Sequence, residues 1–368
     1  MMIPTNWSIG KINCAVSSMI KYKNIFIKNI YYMLAYAFTN LRQEDLKEVS
    51  TEEFENVHNL FAAILAKGIS NQLKQGLYRE YINQTENLTT LRGKIDMSKT
   101  INNLVAGRRI LNCEYDELSE NNLLNRILKT TSMLLLRHGD VNEKYKAALK
   151  KVMLFFTNVD TINLNSIRWN SLRLHRNNQT YKMLLGICKL ILEGMLLTTS
   201  DGEYKLTRFV DDQRMYQLFE KFILEYYIKE APQVKAAKSQ IPWALDDGIS
   251  DMLPAMQSDI MLTQDNCVLI IDAKCYANTT QNHYDVSKLH SNNLYQIFTY
   301  VKNKDITMGS KPHKVSGMLL YARTDEEILP NNIYQMSGNQ ISVKTLDLNK
   351  DFSEIAAQLN SIVSDHFR

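Results

Sequence analysis

The residues of this chain most able to do chemistry sit on a short hairpin, Ser258-Asp259-Ile260 … Ile271-Asp272-Ala273-Lys274. Asp259 and Asp272 are equally far from a turn centred between Asp265 and Asn266. In a regular hairpin they face each other with Cβ atoms about 5 Å apart. Two carboxylates so placed repel, and a sheet gains nothing from them unless a cation lies between. Hard oxygen ligands of this kind suit Mg²⁺, which takes one or two carboxylates plus water and substrate phosphate. Lys274 follows Asp272 by two residues, so strand alternation puts it on the same face. A lysine there can hold or deprotonate an attacking water and steady charge in a phosphorane-like transition state. On a surface strand such a triplet is commonly a set of solvated charges; the chemistry it could otherwise do is metal-assisted hydrolysis of a phosphodiester.

Elements around the hairpin must position these groups. Gln257–Leu262 and Cys267–Lys274 read as strands, joined by Gln264-Asp265-Asn266. Asp272 ends the apolar run Val268–Ile271, so its charge sits at the edge of a buried strand. Residues 291–302 read as a helix on which Gln296 and Tyr300, one turn apart, reach the same cleft. Tyr300 is read either as part of the site or as a core aromatic with a satisfied hydroxyl. Val315–Tyr321 and Ile341–Leu346 read as further strands, and 352–366 as a closing helix.

The region before residue 205 has a different texture. Pro4 is followed by no proline until Pro232, and five prolines fall between Pro232 and Pro330. A long proline-free stretch suits helices, and clustered prolines suit short strands and turns. A loose boundary is expected near Thr199-Ser200-Asp201-Gly202. Apolar periodicity marks Asn29–Thr39 and residues 52–80, and further helices are expected over 142–156, 180–197 and 212–230. Leu88–Ile95 and Arg108–Tyr115 read as strands flanking a polar, basic segment with Asn102, Asn103, Gly107, Arg108 and Arg109. A helix is expected to start at Ser119 as N-cap and to stop at Gly139.

Composition sets the outer limits. The chain has 368 residues, 45% hydrophobic and 22% charged, which is ordinary for a folded protein of about two domains. A net charge of +4 permits a polyanionic partner without demonstrating one. Five cysteines, an odd number with no CxxC pair, argue against disulfides or a zinc ribbon and for a reducing cytoplasm. The seven histidines are scattered, with no HExxH or HxxxH spacing. No leader is read at the N-terminus, and no apolar run approaches the ~20 residues of a membrane span, so a soluble protein is expected. No GxxxxGK[ST] loop is present, because Gly10-Lys11 and Gly93-Lys94 lack the preceding glycine, so the chain is not expected to hydrolyse nucleoside triphosphates alone.

Asp259, Asp272-Ala273-Lys274 and Gln296-xxx-Tyr300 resemble the PD-(D/E)xK nuclease core in its RecB-like form. From about Lys28 onward the whole chain resembles the McrC family, the nuclease subunits of modified-cytosine-dependent restriction systems. The matching stretches are Asn29–Ala37, Gly93–Asp96 with Lys99-Thr100-Ile101, Asn125–Lys129, Leu253-Pro254-x-Met256-x-x-Asp259-Ile260 and Asn293–Gln296. Residues 1–27 fall outside the resemblance and are not interpreted.

The resemblance implies an α/β chain (α+β overall). A mainly helical motor-docking domain would span 28–205, with a β finger near 88–115, and a PD-(D/E)xK endonuclease domain 206–368. It implies that Asp259, Asp272 and the Ala273 carbonyl bind Mg²⁺, with Mn²⁺ as a substitute, and that Lys274 assists the nucleophile. Gln296 and Tyr300 would support the site or contact DNA. Glu225 on the 212–230 helix stands where related nucleases carry a further acid. Glu220 is the second candidate there, and both are also read as solvated helix charges. The expected partners are double-stranded DNA and an McrB-like AAA+ GTPase ring whose hydrolysis the chain stimulates; self-association through the nuclease domain is a further expectation. Arg108 and Arg109 are read either as partner contacts or as a solvated hairpin end. Two alternatives are a RecB-like repair nuclease without a motor and a non-catalytic adaptor that stimulates an NTPase.

Overall fold

The proline-free stretch folds mainly as helices, and the region after it as a mixed sheet between helical layers. The computed structural model describes residues 21–22, 25–38, 52, 54–172, 179–198, 204–206, 212–275, 280–283, 286–323 and 330–367. The boundary expected at 199–202 lies outside the described residues, as does most of the 1–27 segment.

Helix α1 (Ile27–Ala37) is apolar on nearly every side and correspondingly buried. Helix α2 (Val57–Leu73) is capped by Asn56, whose side chain accepts the Asn59 N–H at 2.8 Å. A small sheet follows, built from β1 (Glu80–Leu88), β2 (Lys94–Ile95) and, after helix α3 (Met97–Val105), strand β3 (Leu111–Ser119). Strands β1 and β3 pair antiparallel from Glu80↔Ser119 to Leu88↔Leu111. The finger therefore spans 80–119 rather than 88–115, and most of the expected strand Leu88–Ile95 is its connection. The sequence hid β1 because both of its faces are solvated, so Glu-Tyr-Ile-Asn-Gln-Thr-Glu-Asn-Leu shows no apolar alternation. Part of the segment read as polar is helix α3, started by Asp96, whose side chain accepts the Lys99 N–H at 3.0 Å.

Helix α4 (Leu123–Arg137) starts at Asn122, not Ser119. Ser119 is still paired with Glu80 in the ladder, and Asn122 accepts the Asn125 N–H at 3.2 Å. The helix stops before Gly139, because His138 already has extended backbone angles. Helices α5 (Glu143–Met153), α6 (Gln179–Met195) and α7 (Asp212–Glu230) complete the first layer.

The main sheet holds β4 (Lys235–Ala237), β5 (Ile260–Gln264), β6 (Cys267–Lys274), β7 (Lys314–Ala322), β8 (Asn332–Met336) and β9 (Asn339–Leu346), in the order β8-β9-β7-β6-β5-β4. Pairs β6–β7 and β7–β9 are parallel, and the others antiparallel. The sequence analysis found β6, β7 and β9 but missed the edge strands β4 and β8, which carry fewer buried residues to signal them. The strand expected over Gln257–Leu262 is broken: Met256–Gln257 pairs with Gln240–Ile241, and β5 begins afresh at Ile260. Helices α8 (Ser291–Thr307) and α9 (Phe352–His366) cover the sheet. The mixed helix-and-sheet class expected from the sequence is what the chain adopts.

Each face of the sheet has its own core. Ile260, Leu262, Leu269, Ile271 and Ala273 join a core that runs on into the helical first half. Val268, Ile270, Leu319, Tyr321 and Val343 pack under α8 through Ile297 and Val301. Gly317 permits that close approach: a Cβ there would stand 2.8 Å from both Ile297 and Val301. Helix α1 is tied to the second half of the chain. Asn29 Nδ2 donates to the Leu348 and Lys350 carbonyls, each at 2.8 Å, and Tyr32 stacks on Phe352 with ring centroids 4.3 Å apart. No helix of the described residues is long and apolar enough to cross a membrane.

Candidate active site

Strand β6 is apolar until Ile271, then turns charged while remaining buried. Asp272 is 1% exposed and Lys274 5%. Strand alternation places both on the face of Val268 and Ile270, beneath α8, and Ala273 on the opposite core. The β5–β6 register Ile260↔Ile271, carried one step further, sets Asp259 opposite Asp272, as the hairpin symmetry predicted. The break before Ile260 has a local consequence. No β5 residue stands opposite Ala273, so its N–H donates instead to Asp259 Oδ2 at 3.0 Å.

The polar groups form a connected cluster. Lys274 Nζ lies 2.9 Å from Asp272 Oδ2 and donates to Gln296 Oε1 at 3.4 Å. Gln296 Nε2 in turn donates to the Tyr300 hydroxyl at 3.0 Å. The Tyr216 hydroxyl on α7 donates to Asp259 Oδ2 at 3.2 Å, and the Tyr216 ring lies 5.7 Å from Lys274 Nζ. Beyond Gln296, Asn293 Nδ2 donates to the Tyr321 hydroxyl at 3.0 Å, fixing α8 to β7. Five residues singled out from the sequence, Asp259, Asp272, Lys274, Gln296 and Tyr300, thus converge.

Burial raises the Asp259 carboxyl to about 6, and the neighbouring Asp272 pushes it the same way against the pull of Lys274 and the Ala273 N–H. Burial also raises Asp272, opposed first by Lys274. The Tyr216 hydroxyl is driven far up by burial and then by the Asp259 charge, so it stays a donor. Apart from the Lys274 ammonium, neither Asp272 oxygen receives a hydrogen bond of regular geometry from the described residues. A buried carboxylate left so poorly compensated, facing a second carboxylate, fits a hard divalent cation.

Helix α7 brings Glu220, rather than Glu225, toward this cluster. Glu220 pairs with Lys238, and its charge acts on both Asp272 and Tyr216. Glu225 stands five residues on, about 140° around the helix, where its charge acts on Lys221. Sequence reasoning missed Tyr216; its spacing of four from Glu220 was the available signal. Arg108 and Arg109 are exposed on the finger after α3 and touch none of these residues among the described contacts. Cys113, Cys188 and Cys267 are free thiols.

The chain is similar to known proteins in sequence and in fold. The chain is 26% identical to the type IV methyl-directed restriction enzyme EcoKMcrBC of Escherichia coli (strain K12) over 348 residues, covering 93% of this chain and 98% of that protein. Its fold is similar to a chain of the solved assembly of Thermococcus gammatolerans McrB AAA+ hexamers with bound McrC. The TM-score is 0.55 at 21% identity, covering 92% of this chain and 76% of that one. The family model described as McrBC 5-methylcytosine restriction system component matches residues 16–322, and the chain belongs to that family.

Proposed function

We propose that this chain is the nuclease subunit of a modification-dependent restriction complex. It would cleave DNA phosphodiester bonds with Mg²⁺ when an AAA+ GTPase ring, whose hydrolysis it stimulates, activates it. The observation that carries this reading is the convergence of Asp259, Asp272 and Lys274 at the end of β6, with Lys274 2.9 Å from Asp272. A PD-(D/E)xK core asks for that set. The family description as a 5-methylcytosine restriction system component, and the relative named as a methyl-directed restriction enzyme, support cytosine-methylated DNA as the substrate. The assembly with McrB AAA+ hexamers supports the motor partner.

Asp259 and Asp272 would hold the Mg²⁺. The Ala273 carbonyl would join them, since an extended residue directs its N–H and C=O to the same side and β5 does not cover that side here. A bound Mg²⁺ supplies Lewis acidity at the phosphate and lowers the pKa of water. The side chains do the rest. Lys274, held between Asp272 and Gln296, presents its ammonium to the attacking water and the non-bridging oxygens. Gln296 and Tyr300 fix the direction of that ammonium. Glu220 supplies a further negative charge on the α7 side.

The finger carries the partner-facing role. Met97, Ile101, Leu104 and Val105 form an apolar stripe on α3 that is more than half exposed among the described residues, beside the exposed Arg108 and Arg109.

The test is cleavage of cytosine-methylated plasmid by this protein with the AAA+ protein encoded beside it, Mg²⁺ and GTP, run beside Asp272→Ala and Lys274→Ala. Cutting by the wild type alone supports the site and its motor dependence together. Equal behaviour of all three removes the site assignment and leaves the adaptor reading. Cutting of DNA ends without the motor would favour a repair nuclease.

A further inference from the structure

Far along the chain from the nuclease residues, the fold assembles a second group of metal-ligating side chains. His58 lies in the first turn of α2, His138 at the end of α4, and Asp140 in the turn leading to α5. Each offers one ligand atom, and these atoms all lie within 4.8 Å of one another. The two imidazoles stack with centroids 4.0 Å apart and planes 15° from parallel. Eighty residues separate the histidines in sequence, so no short motif announces them.

We propose that His58, His138 and Asp140 form a second metal site, taking Zn²⁺ or a similar borderline transition-metal ion, which clips the start of α2 to the α4–α5 turn. Two imidazoles and one carboxylate are nitrogen-rich for Mg²⁺ or Ca²⁺ and match the ligands of zinc. Three protein ligands leave a fourth position for water. Metal–ligand distances of about 2.0–2.2 Å set tetrahedral donor atoms about 3.4 Å apart, so binding turns the two imidazoles out of their stack and draws the donors together.

His58 is 1% exposed in the first turn of α2. The Asp140 N–H donates to His138 Nδ1 at 3.2 Å, which fixes that ring on the turn. His138 and Asp140 are half-buried, which gives an ion a way in from solvent. The backbone is pinned independently of any metal. Asn56 Nδ2 donates to the Asp140 carbonyl at 2.8 Å. The Asn142 N–H donates to Asn59 Oδ1 at 2.8 Å, and Asn142 Nδ2 to Glu55 Oε2 at 2.9 Å. These three bonds hold the two segments in register, the kind of outer-shell support that metal sites use. The role is structural and separate from phosphodiester cleavage.

The experiment uses the full chain stripped with a chelator. It is made in an Asp272→Ala background with excess Mg²⁺, so that the nuclease carboxylates do not contribute. Calorimetric titration with Zn²⁺ is expected to show one equivalent bound, with a rise of several degrees in unfolding temperature. Co²⁺ in its place is expected to give the visible absorption of a four-coordinate site. Adding His138→Gln or, separately, Asp140→Asn is expected to weaken Zn²⁺ binding at least tenfold and to remove the thermal shift. Circular dichroism and unfolding temperature in chelator should stay unchanged. Equal Zn²⁺ binding with and without these substitutions overturns the proposal, and so does no Zn²⁺ binding by the Asp272→Ala chain.

Discussion

At the end of β6 the chain buries an aspartate and a lysine, whereas on α3 of the finger it leaves Met97, Ile101, Leu104 and Val105 more than half open to solvent. Both regions act against the partition that folding favours. A buried carboxylate gives up hydration, as the raised Asp259 and Asp272 carboxyls show. An exposed apolar stripe forgoes burial worth about 25 cal/mol per Å². They differ in what would relieve the penalty. The β6 charges lie among Tyr216, Gln296 and Tyr300, and a small ion of opposite charge would complete them. The α3 stripe stands on an outward-facing finger, so only a surface from outside can cover it. One region is therefore read as chemistry and the other as docking, and their responses to mutation should separate cleanly.

The largest effect is expected from Asp272→Asn, which keeps shape and removes the charge. Motor-driven cleavage should fall by at least ~10³-fold, because both metal binding and the Lys274 pairing depend on it. If the β6 charge is retained for chemistry rather than stability, the unfolding temperature in chelator should not drop. A clear loss of stability would instead mark the pair as structural and erase the contrast with the finger. Lys274→Met should cost ~10²–10³-fold in the single-turnover cutting rate. The double variant should fall well short of the product of the two losses, since residues acting as a unit are not additive.

On the finger, Ile101→Asp with Val105→Asp should lower stimulation of the partner's GTP hydrolysis by about tenfold or more, as loss of a central apolar contact does. Folding stability should move by no more than about 0.5 kcal/mol, because the stripe is more than half exposed among the described residues. Arg108→Ala with Arg109→Ala should give a smaller loss in the same assay. Unchanged stimulation in both variants would detach the finger from the motor.

How legible these regions were in the sequence follows from how each is built. Strand β6 was read to the residue, because a continuous apolar run ending in Asp-Ala-Lys has no other good placement. The helices over 212–230 and 352–366 were equally plain from periodicity. The finger was misplaced because β1 carries little apolar signal: its pairing is held by the β3 ladder and by contacts such as the Tyr115 hydroxyl donating to Glu86 at 3.0 Å. Ser119 looked like a cap, yet the ladder claimed it and left capping to Asn122. Within the site, hairpin symmetry set Asp259 across from Asp272, and their metal-binding role was implied by the resemblance to the nuclease core. The choice between Glu220 and Glu225 was not legible, because it depends on how α7 is rotated on the sheet. That rotation is set by Phe219, Phe222, Ile223, Tyr226 and Tyr227 packing as a group.

A pH series reads the buried pair directly. The Asp259 carboxyl is raised to about 6 in the folded chain and titrates near 4 when unfolded. Between those values the folded state binds more protons than the unfolded one, so stability falls as pH rises through that window. The metal-free protein should be more stable at pH 5 than at pH 7.5, by roughly 1–2 kcal/mol from this group. Asp259→Asn should flatten the profile, and Mg²⁺ should do so in part by holding the ionised form. A profile that rises across the same window would mean that Lys274, not burial, governs the pair. No comparable dependence is expected from the finger's apolar stripe, which carries no titratable group.

The smallest effect tests how finely the site is set. Tyr216→Phe removes one donor from Asp259 Oδ2 and leaves the ring beside Lys274. A hydrogen bond to a charged group is worth about 1.5–3 kcal/mol when fully formed. At 3.2 Å, with the Ala273 N–H still in place, the loss should lie toward or below the lower end. The expected result is a fall of roughly three- to tenfold in cleavage at limiting Mg²⁺. Saturating Mg²⁺ should recover most of it, since the hydroxyl orients a ligand and does not meet the phosphate. A loss of the same size at all Mg²⁺ concentrations would place Tyr216 on the substrate side. Helix α7 would then meet the transition state together with Lys274 of β6.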